Sequence, residues 1–255
     1  MRFCVPIPCF FKNCSFEEAI KQISSLGFDA AETYAHPTLP PEEVRRICDG
    51  YGVELLSMCT TDFRLTDAQH RGEWLDGMKR SADLAACMGV SRLITQSGPD
   101  TGEERARQLD NMCTTLALAA PTLESCGVTM MVEPLNTIVD HKGCFLARSD
   151  EAFALVRDVD SPFVRVIYDI YHQQITEGNI IPTVKENLPM IAHLHCAGHP
   201  GRHELQTGEL DYKNIFAAID GMGYTGACGI EYGPTMEPVE SLRAFRRIYL
   251  GEENE

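Results

Sequence analysis

The sequence lacks several patterns that would each identify a class of protein. No apolar run approaches the ~20 residues that a membrane-spanning helix needs. No Gly-x-Gly-x-x-Gly fingerprint follows the first predicted strand, which argues against a dinucleotide-binding sheet. No Cys-x-x-Cys pair occurs among the eleven cysteines, so a structural zinc site is not expected. The chain has no low-complexity stretch and no Gly/Ser linker, and one domain over residues 1–255 is therefore expected.

Positive charge is also scarce, because 22 Lys and Arg residues face 37 Asp and Glu residues, for a net charge of -15. This excess repels phosphate backbones, so nucleic acid is not an expected partner, and an anionic substrate would need a local cation. The scattered cysteines are typical of buried, reduced thiols. The first residues lack the apolar stretch of a secretory signal. We therefore expect a cytoplasmic protein with a small-molecule substrate and no membrane contact, either as a monomer or as a homo-oligomer.

Short β-branched or apolar runs alternate with longer amphipathic patterns along the whole chain. In Phe16–Leu26, for example, apolar residues recur at a spacing near 3.6. The predicted strands are Phe3–Cys9, Ala30–Tyr34, Val53–Cys59, Arg92–Gln96, Thr129–Glu133, Val164–Asp169, Ile191–Cys196 and Ala227–Glu231. Eight strand–helix repeats in about 250 residues predict an α/β fold, a single (β/α)8 TIM barrel, with an open doubly wound sheet as the alternative.

Four residues with metal-ligand side chains end consecutive predicted strands: Glu133, Asp169, His195 and Glu231. Adjacent strands lie ~4.8 Å apart, so four neighbouring strand ends can converge on one ion. Any one of these carboxylates alone is as well explained as a helix cap or a solvated loop residue. Three carboxylates and one imidazole together favour one divalent cation, Mn²⁺ or Mg²⁺, with Co²⁺ and Zn²⁺ as alternatives.

Two further residues are candidates for contact with the substrate. His172 follows Asp169 at i+3, which places both on one face of the turn leaving the strand; its alternative role is to cap the next helix. Arg202 lies in a long loop after the strand of His195, and its planar donor fork matches a carboxylate. A surface ion pair of Arg202 with Glu204 or Glu209 is equally compatible with the sequence.

Two more polar residues lie on the predicted strands themselves. Glu32 lies near the end of the second predicted strand and is expected to line the pocket or to orient another group. His193 shares the barrel face of His195, one layer lower, where a supporting or core role fits it.

Three segments resemble the xylose-isomerase-like TIM barrels, and among them the hydroxypyruvate isomerase and 2-oxo-tetronate isomerase group. They are Glu133-Pro-Leu-Asn-Thr, Tyr168-Asp-Ile-Tyr-His-Gln-Gln-Ile-Thr-Glu-Gly and Pro200-Gly-Arg-His-Glu. The resemblance runs nearly end to end. It implies that Glu133 and Glu231 are both metal ligands and the acid/base pair, and that Asp169 and His195 complete the metal site. It also implies that His172 and Arg202 contact the substrate.

The expected function is therefore a divalent-metal isomerase that acts on a small α-hydroxy carbonyl acid or sugar through an enediolate. The main alternative is a ketose 3-epimerase. Histidine at position 195 is typical of the epimerases, but the second glutamate of their motif is replaced here by Val139. Lesser alternatives are a nuclease of the apurinic-site type, which needs extra histidines at early strand ends, and a non-catalytic sugar-binding barrel.

Overall fold

A computed structural model describes residues 1–251 and contains a closed barrel of eight parallel strands in the order of the chain. The strands are β1 Arg2–Pro6, β2 Ala30–Glu32, β3 Glu54–Cys59, β4 Arg92–Gln96, β5 Thr129–Glu133, β6 Val164–Asp169, β7 Ile191–Cys196 and β8 Ala227–Ile230. Closure comes from pairing of β1 with β8, in which Cys4 lies beside Gly229. The predicted (β/α)8 barrel is confirmed.

Helices cover the outside of the barrel. They are α1 Ile7–Phe10, α2 Phe16–Ser25, α3 Pro41–Tyr51, α4 Arg71–Met88, α5 Arg105–Cys126, α6 Ser149–Val159, α7 Ile170–Thr176, α8 Ile180–Asn187, α9 Tyr212–Gly221 and α10 Pro238–Phe245. The main apolar core lies between this layer and the strands, with Trp74, Phe153 and Phe245 among its largest buried side chains. Within residues 1–251, no helix combines the length and apolar character needed to cross a membrane.

Three predicted strands are shorter than expected at their carboxyl ends; the last of them, β8, ends one residue early, at Ile230. The first ends at Pro6, and the chain turns at once into α1, in which Pro8 occupies the first turn. Proline has no amide hydrogen for a strand ladder but suits the first turn of a helix, which explains the early end. The second ends at Glu32 rather than Tyr34. The shorter strands leave residues 7–15 and 33–40 to the carboxyl end of the barrel, where Tyr34 lines a cavity described below.

The interior of the barrel is filled by small clusters from neighbouring strands. Cys4, Ala30, Leu56 and Ala227 form one cluster, and Cys59, Ile94, Met131 and Ile167 form another. Three members of the first cluster have small side chains, so the interior near β1, β2 and β8 has room for polar groups. All eleven cysteines of the chain are free, as expected.

A glycine after β4 sets the approach of two loops at the carboxyl end of the barrel. Gly98 has a φ of +84°, and a Cβ there would lie 1.6 Å from the carbonyl oxygen of Phe63. Its own carbonyl oxygen accepts a hydrogen bond from the amide of Phe145. Gly98 therefore lets the loop after β3 pack directly against the loop after β4.

We expect Gly98→Ala to destabilise the protein by about 2 to 4 kcal/mol, because both the left-handed φ and the backbone overlap oppose a side chain. Thermal unfolding followed by circular dichroism measures this. The matched control is Gly72→Ala at an exposed site in α4, where a Cβ meets nothing within 4 Å. Equal melting temperatures for the two variants would contradict the assigned role of Gly98.

Candidate metal and substrate site

Glu133, Asp169, His195 and Glu231 meet at the carboxyl end of the barrel, where their ligand atoms all lie within 4.8 Å of one another. The Nδ1 atom of His195 is 3.0 Å from Glu231 Oε2 and 3.6 Å from Glu133 Oε1. Parallel pairing explains part of this convergence, because Asp169 and His195 are direct neighbours on β6 and β7. The structure therefore brings together the four residues that the sequence predicted as a set.

Asp169 has a second role as the N-cap of α7. Its Oδ1 accepts hydrogen bonds from the backbone amides of Tyr171 at 2.7 Å and His172 at 3.2 Å. This capping fixes the carboxylate, since both bonds go to one oxygen. The other oxygen, Oδ2, is left facing the cluster. The helix start thus aims one lone-pair-bearing oxygen at the site.

The carboxylates of the cluster differ in how well they are compensated. Burial disfavours the charge on Glu231, but His195 and Arg202 outweigh burial and hold the pKa of Glu231 well below its usual value. For Asp169, burial and the neighbouring charge of Glu231 raise the pKa to about 6. Arg202 Nη2 lies 2.7 Å from Glu231 Oε2 but 3.8 Å from Asp169 Oδ2. Without further positive charge, Asp169 therefore takes a proton more readily than Glu231 does.

The donor set fits a divalent cation. In the described part of the chain, Asp169 Oδ2 and the Nδ1 atom of His195, which faces the cluster, are buried and make no hydrogen bond. Buried polar atoms without partners are costly, and carboxylate oxygens together with an imidazole nitrogen suit Mn²⁺ or Mg²⁺. The three carboxylates and His195 would hold such an ion, and its charge would offset the repulsion among the carboxylates.

His172 lies at the cluster, fully buried, with its Nε2 3.4 Å from Asp169 Oδ2. The side-chain oxygen of Asn136 accepts hydrogen bonds from the backbone amides of Val139 and Asp140. Its side-chain nitrogen therefore faces His172 and donates a hydrogen bond to Nδ1 at 2.6 Å. His172 Nε2 therefore carries the hydrogen. Burial, reinforced by Arg202, lowers the pKa of His172 to about 4, so the ring is neutral near pH 7. The helix-capping alternative for His172 is wrong, because Asp169 is the cap.

Arg202 extends over the cluster rather than across the surface. Its Nη2 donates to Glu231 Oε2, and its guanidinium lies 5.3 Å from the ring centre of Tyr171. The alternative pairing with Glu204 is wrong, since Glu204 is buried and accepts hydrogen bonds from Thr235 and Ser241. Arg202 is thus the cation close to the site that the net charge of the chain led us to expect.

A cavity of about 300 Å³ opens beside the cluster. Its lining includes Glu133, His172, His195, Arg202 and Glu231, together with residues that sequence reasoning did not single out. These are Tyr34, Cys59, Phe63, Ile94, Gln96, Leu135 and His141. Most of them lie at or just beyond strand ends, a position that could have indicated them. Nothing in the sequence distinguished His141 from an exposed loop histidine, yet its ring lies 5.0 Å from that of His172.

Comparison with known proteins agrees with this architecture. A family model described as a xylose isomerase-like TIM barrel matches residues 20–248. The chain belongs to this family. The resemblance found in the sequence is therefore confirmed.

Curated relatives of this xylose isomerase-like barrel include 2-oxo-tetronate isomerase from Cupriavidus necator. That protein is 36% identical over 177 residues, which cover 68% of this chain and 66% of the relative. The putative hydroxypyruvate isomerase of Danio rerio is 28% identical over 273 residues, which cover 100% of this chain and 99% of the relative. The first match thus spans just under two thirds of its relative, and the second is end to end.

Solved structures share the fold under other names. An AP endonuclease, family 2, from Brucella melitensis has a TM-score of 0.90 at 25% identity and covers 97% of this chain and 99% of its own. A D-psicose 3-epimerase from Clostridium cellulolyticum H10 has a TM-score of 0.81 at 19% identity, covering 98% of this chain and 99% of its own. The second likeness shows the fold alone.

The cluster predicts that Mn²⁺ stabilises the protein. At an Mn²⁺ concentration 100 times the dissociation constant, binding adds about 2.7 kcal/mol, or roughly 5 to 10 °C in melting temperature for a chain of this length. Asp169→Asn should remove most of the shift. Asp83→Asn, which changes only exposed contacts with Lys79 and Cys126, should keep it. A shift of equal size in both variants would argue against a metal site at the cluster.

Proposed function

We propose that this protein is a divalent-metal-dependent isomerase that moves a proton between adjacent carbons of a small α-hydroxy carbonyl acid. The proposed substrates are hydroxypyruvate and 2-oxo-tetronates. At the level of reaction class the prediction is confirmed, because both curated relatives are named as isomerases. The substrate, the metal and the residue roles are the proposed part.

One observation carries the proposal: two carboxylates, those of Glu133 and Glu231, approach the same ring nitrogen of His195 from β5 and from the end of β8. Both therefore border the same small volume of the cavity. A proton transfer between neighbouring carbons needs a base and an acid within hydrogen-bond reach of one bound substrate. Two carboxylates facing one volume meet that requirement.

A bound divalent cation would polarise the carbonyl and hydroxyl oxygens of the substrate. The chain's own residues have separate tasks. One glutamate removes the proton from the hydroxyl-bearing carbon beside the carbonyl, and the other delivers a proton to the former carbonyl carbon. The hydroxyl proton passes to the oxygen of the former carbonyl, so that the hydroxyl and carbonyl groups exchange places. The Nε2–H group of His172 faces the site and can donate a hydrogen bond to a substrate oxygen. Burial of the cluster excludes water and strengthens each of these interactions.

The preference for an acid rests on Arg202. Its guanidinium has five N–H donors and uses one of them on Glu231, so others are available to a substrate carboxylate. An anionic substrate needs a positive charge in a protein whose net charge is -15, and Arg202 supplies that charge in the lining of the cavity. The relatives' names, hydroxypyruvate isomerase and 2-oxo-tetronate isomerase, support the same substrate class.

The alternatives are less well supported. For a ketose 3-epimerase, the position of the second glutamate is Val139, whose side chain is 53% exposed. An apurinic-site nuclease has support from the name of one structural relative, the AP endonuclease of Brucella melitensis. A nuclease of this type would need further metal ligands that DNA can reach. In residues 1–251, however, the other group of residues that could hold a metal consists of Cys4, Glu32 and His193, and all three are buried. DNA also suits the net charge poorly.

We expect Glu133→Gln and Glu231→Gln each to reduce kcat by about 10²- to 10⁴-fold, the range that general acid/base catalysis supplies. The measurement is steady-state turnover with Mn²⁺ at saturation for each variant, because both glutamates are also proposed ligands. Glu124→Gln on the exposed side of α5 is the matched control. Substantial activity in either active-site variant would reject the paired-glutamate mechanism.

The substrate class is tested by incubating the Mn²⁺-supplemented protein with hydroxypyruvate, 2-oxo-tetronates, tagatose, fructose and allulose. We expect isomerised acids as products, identified by NMR, because only the acids can use Arg202. Conversion of the neutral ketoses at C3, with no reaction of the acids, would establish an epimerase instead.

Arg202→Lys tests the role of the arginine in the same assay, because lysine keeps the positive charge but lacks the planar guanidinium. It should raise KM for the acids by roughly 10-fold or more, as expected from weakened hydrogen bonds to a charged group.

A further inference from the structure

A fourth carboxylate lies beneath the metal cluster, in the barrel interior. Glu32, the last residue of β2, is fully buried. Its Oε1 lies 3.2 Å from His195 Nε2, and its Oε2 lies 3.2 Å from His193 Nε2. Ser57 Oγ donates a hydrogen bond to the same Oε2 at 2.8 Å. One buried carboxylate thus links two imidazoles from β7, and it has no part in the proton transfer proposed for Glu133 and Glu231.

The two nitrogens of the His195 ring therefore face different partners. Nδ1 is directed at Glu231 and Glu133, on the side of the cluster, and Nε2 is directed at Glu32. A ring nitrogen that binds a cation must be unprotonated, so the other nitrogen of a neutral imidazole carries the hydrogen and needs an acceptor. Glu32 is in the position of that acceptor.

A glycine on β8 makes room for this contact. A Cβ on Gly229 would lie 2.0 Å from Glu32 Oε1 and 2.6 Å and 2.9 Å from two atoms of the His195 ring. Gly229 pairs with Cys4 on β1 and with His195 on β7, so its neighbours are fixed by the barrel register. The absence of a side chain here, two residues before Glu231, preserves the space that the Glu32–His195 pair occupies.

We propose that Glu32 is a positioning residue: it accepts the hydrogen of His195 Nε2, fixes the ring orientation, and so keeps Nδ1 free to bind the cation. The inference rests on the proposed metal site and adds to it a residue that touches neither the ion nor the substrate. His193 and Ser57 hold the other oxygen of the carboxylate, which prevents Glu32 from turning away.

The main test measures Mn²⁺ affinity and stoichiometry by calorimetry on the metal-stripped full chain, for the wild type, Glu32→Gln and Glu54→Gln. Glu54 is the matched control, because it is an exposed glutamate on the neighbouring strand β3, paired with Arg2. We expect one ion per chain throughout. Affinity should fall by about 10- to 100-fold in Glu32→Gln, the usual effect of removing the partner of a ligating histidine, and stay unchanged in Glu54→Gln.

A second measurement needs no variant and remains decisive if Glu32→Gln does not fold. Long-range ¹H–¹⁵N NMR of the Mg²⁺-saturated wild type reports which nitrogen of His195 carries the hydrogen. We expect hydrogen on Nε2 and none on Nδ1. Hydrogen on Nδ1 would overturn the proposal.

The outcomes separate this inference from the metal site on which it rests. Absence of Mn²⁺ binding in the wild type rejects both. Wild-type binding with an unchanged affinity in Glu32→Gln rejects only the role of Glu32. Two ions per chain, falling to one in Glu32→Gln, would make Glu32 a ligand of a second ion with Cys4 and His193, and would also overturn the proposal.

Discussion

Three carboxylates, those of Glu133 and Asp169, which are buried, and of Glu231, which is partly buried, converge with the Nδ1 atom of His195 at one end of the barrel. Their mutual repulsion in a buried setting is the constraint on which the rest of the site depends. Arg202 and His195 compensate Glu231 directly, whereas Asp169 is left with a raised pKa. A divalent cation would complete the compensation. The same concentration of charge would then serve catalysis, because it supplies proton acceptors beside a polarised substrate.

The barrel supplies this convergence in two layers. The upper layer consists of strand ends and loops, where Arg202 and the loop held by Gly98 border the cavity. The lower layer lies inside the barrel, where Glu32 and His193 occupy room left by small residues such as Gly229. Rigid strands thus hold the metal-binding groups, and the loops provide contacts that can differ among members of the family without disturbing the barrel.

The fold was predictable from the sequence because an apolar pattern of strand period is followed by one of helix period in each of eight repeats. The cluster was predictable for a related reason: parallel strands bring their carboxyl ends to one edge, so the sequence alone places Glu133, Asp169 and His195 together. Strand ends were less certain. Pro6 and Pro8 redirect the chain into α1, although the apolar residues around them continue the pattern of a strand.

By itself the sequence determined the barrel, the four members of the cluster and the presence of an arginine in the following loop, since each follows from spacing along the chain. Only the tertiary structure decided where side chains point. Arg202 is bound to Glu231 and not to Glu204 or Glu209, and Asp169, not His172, caps α7. Glu32 meets His195 across 163 positions of the chain and the width of the barrel interior. Such contacts depend on closure between β1 and β8, which joins residues that no local pattern relates.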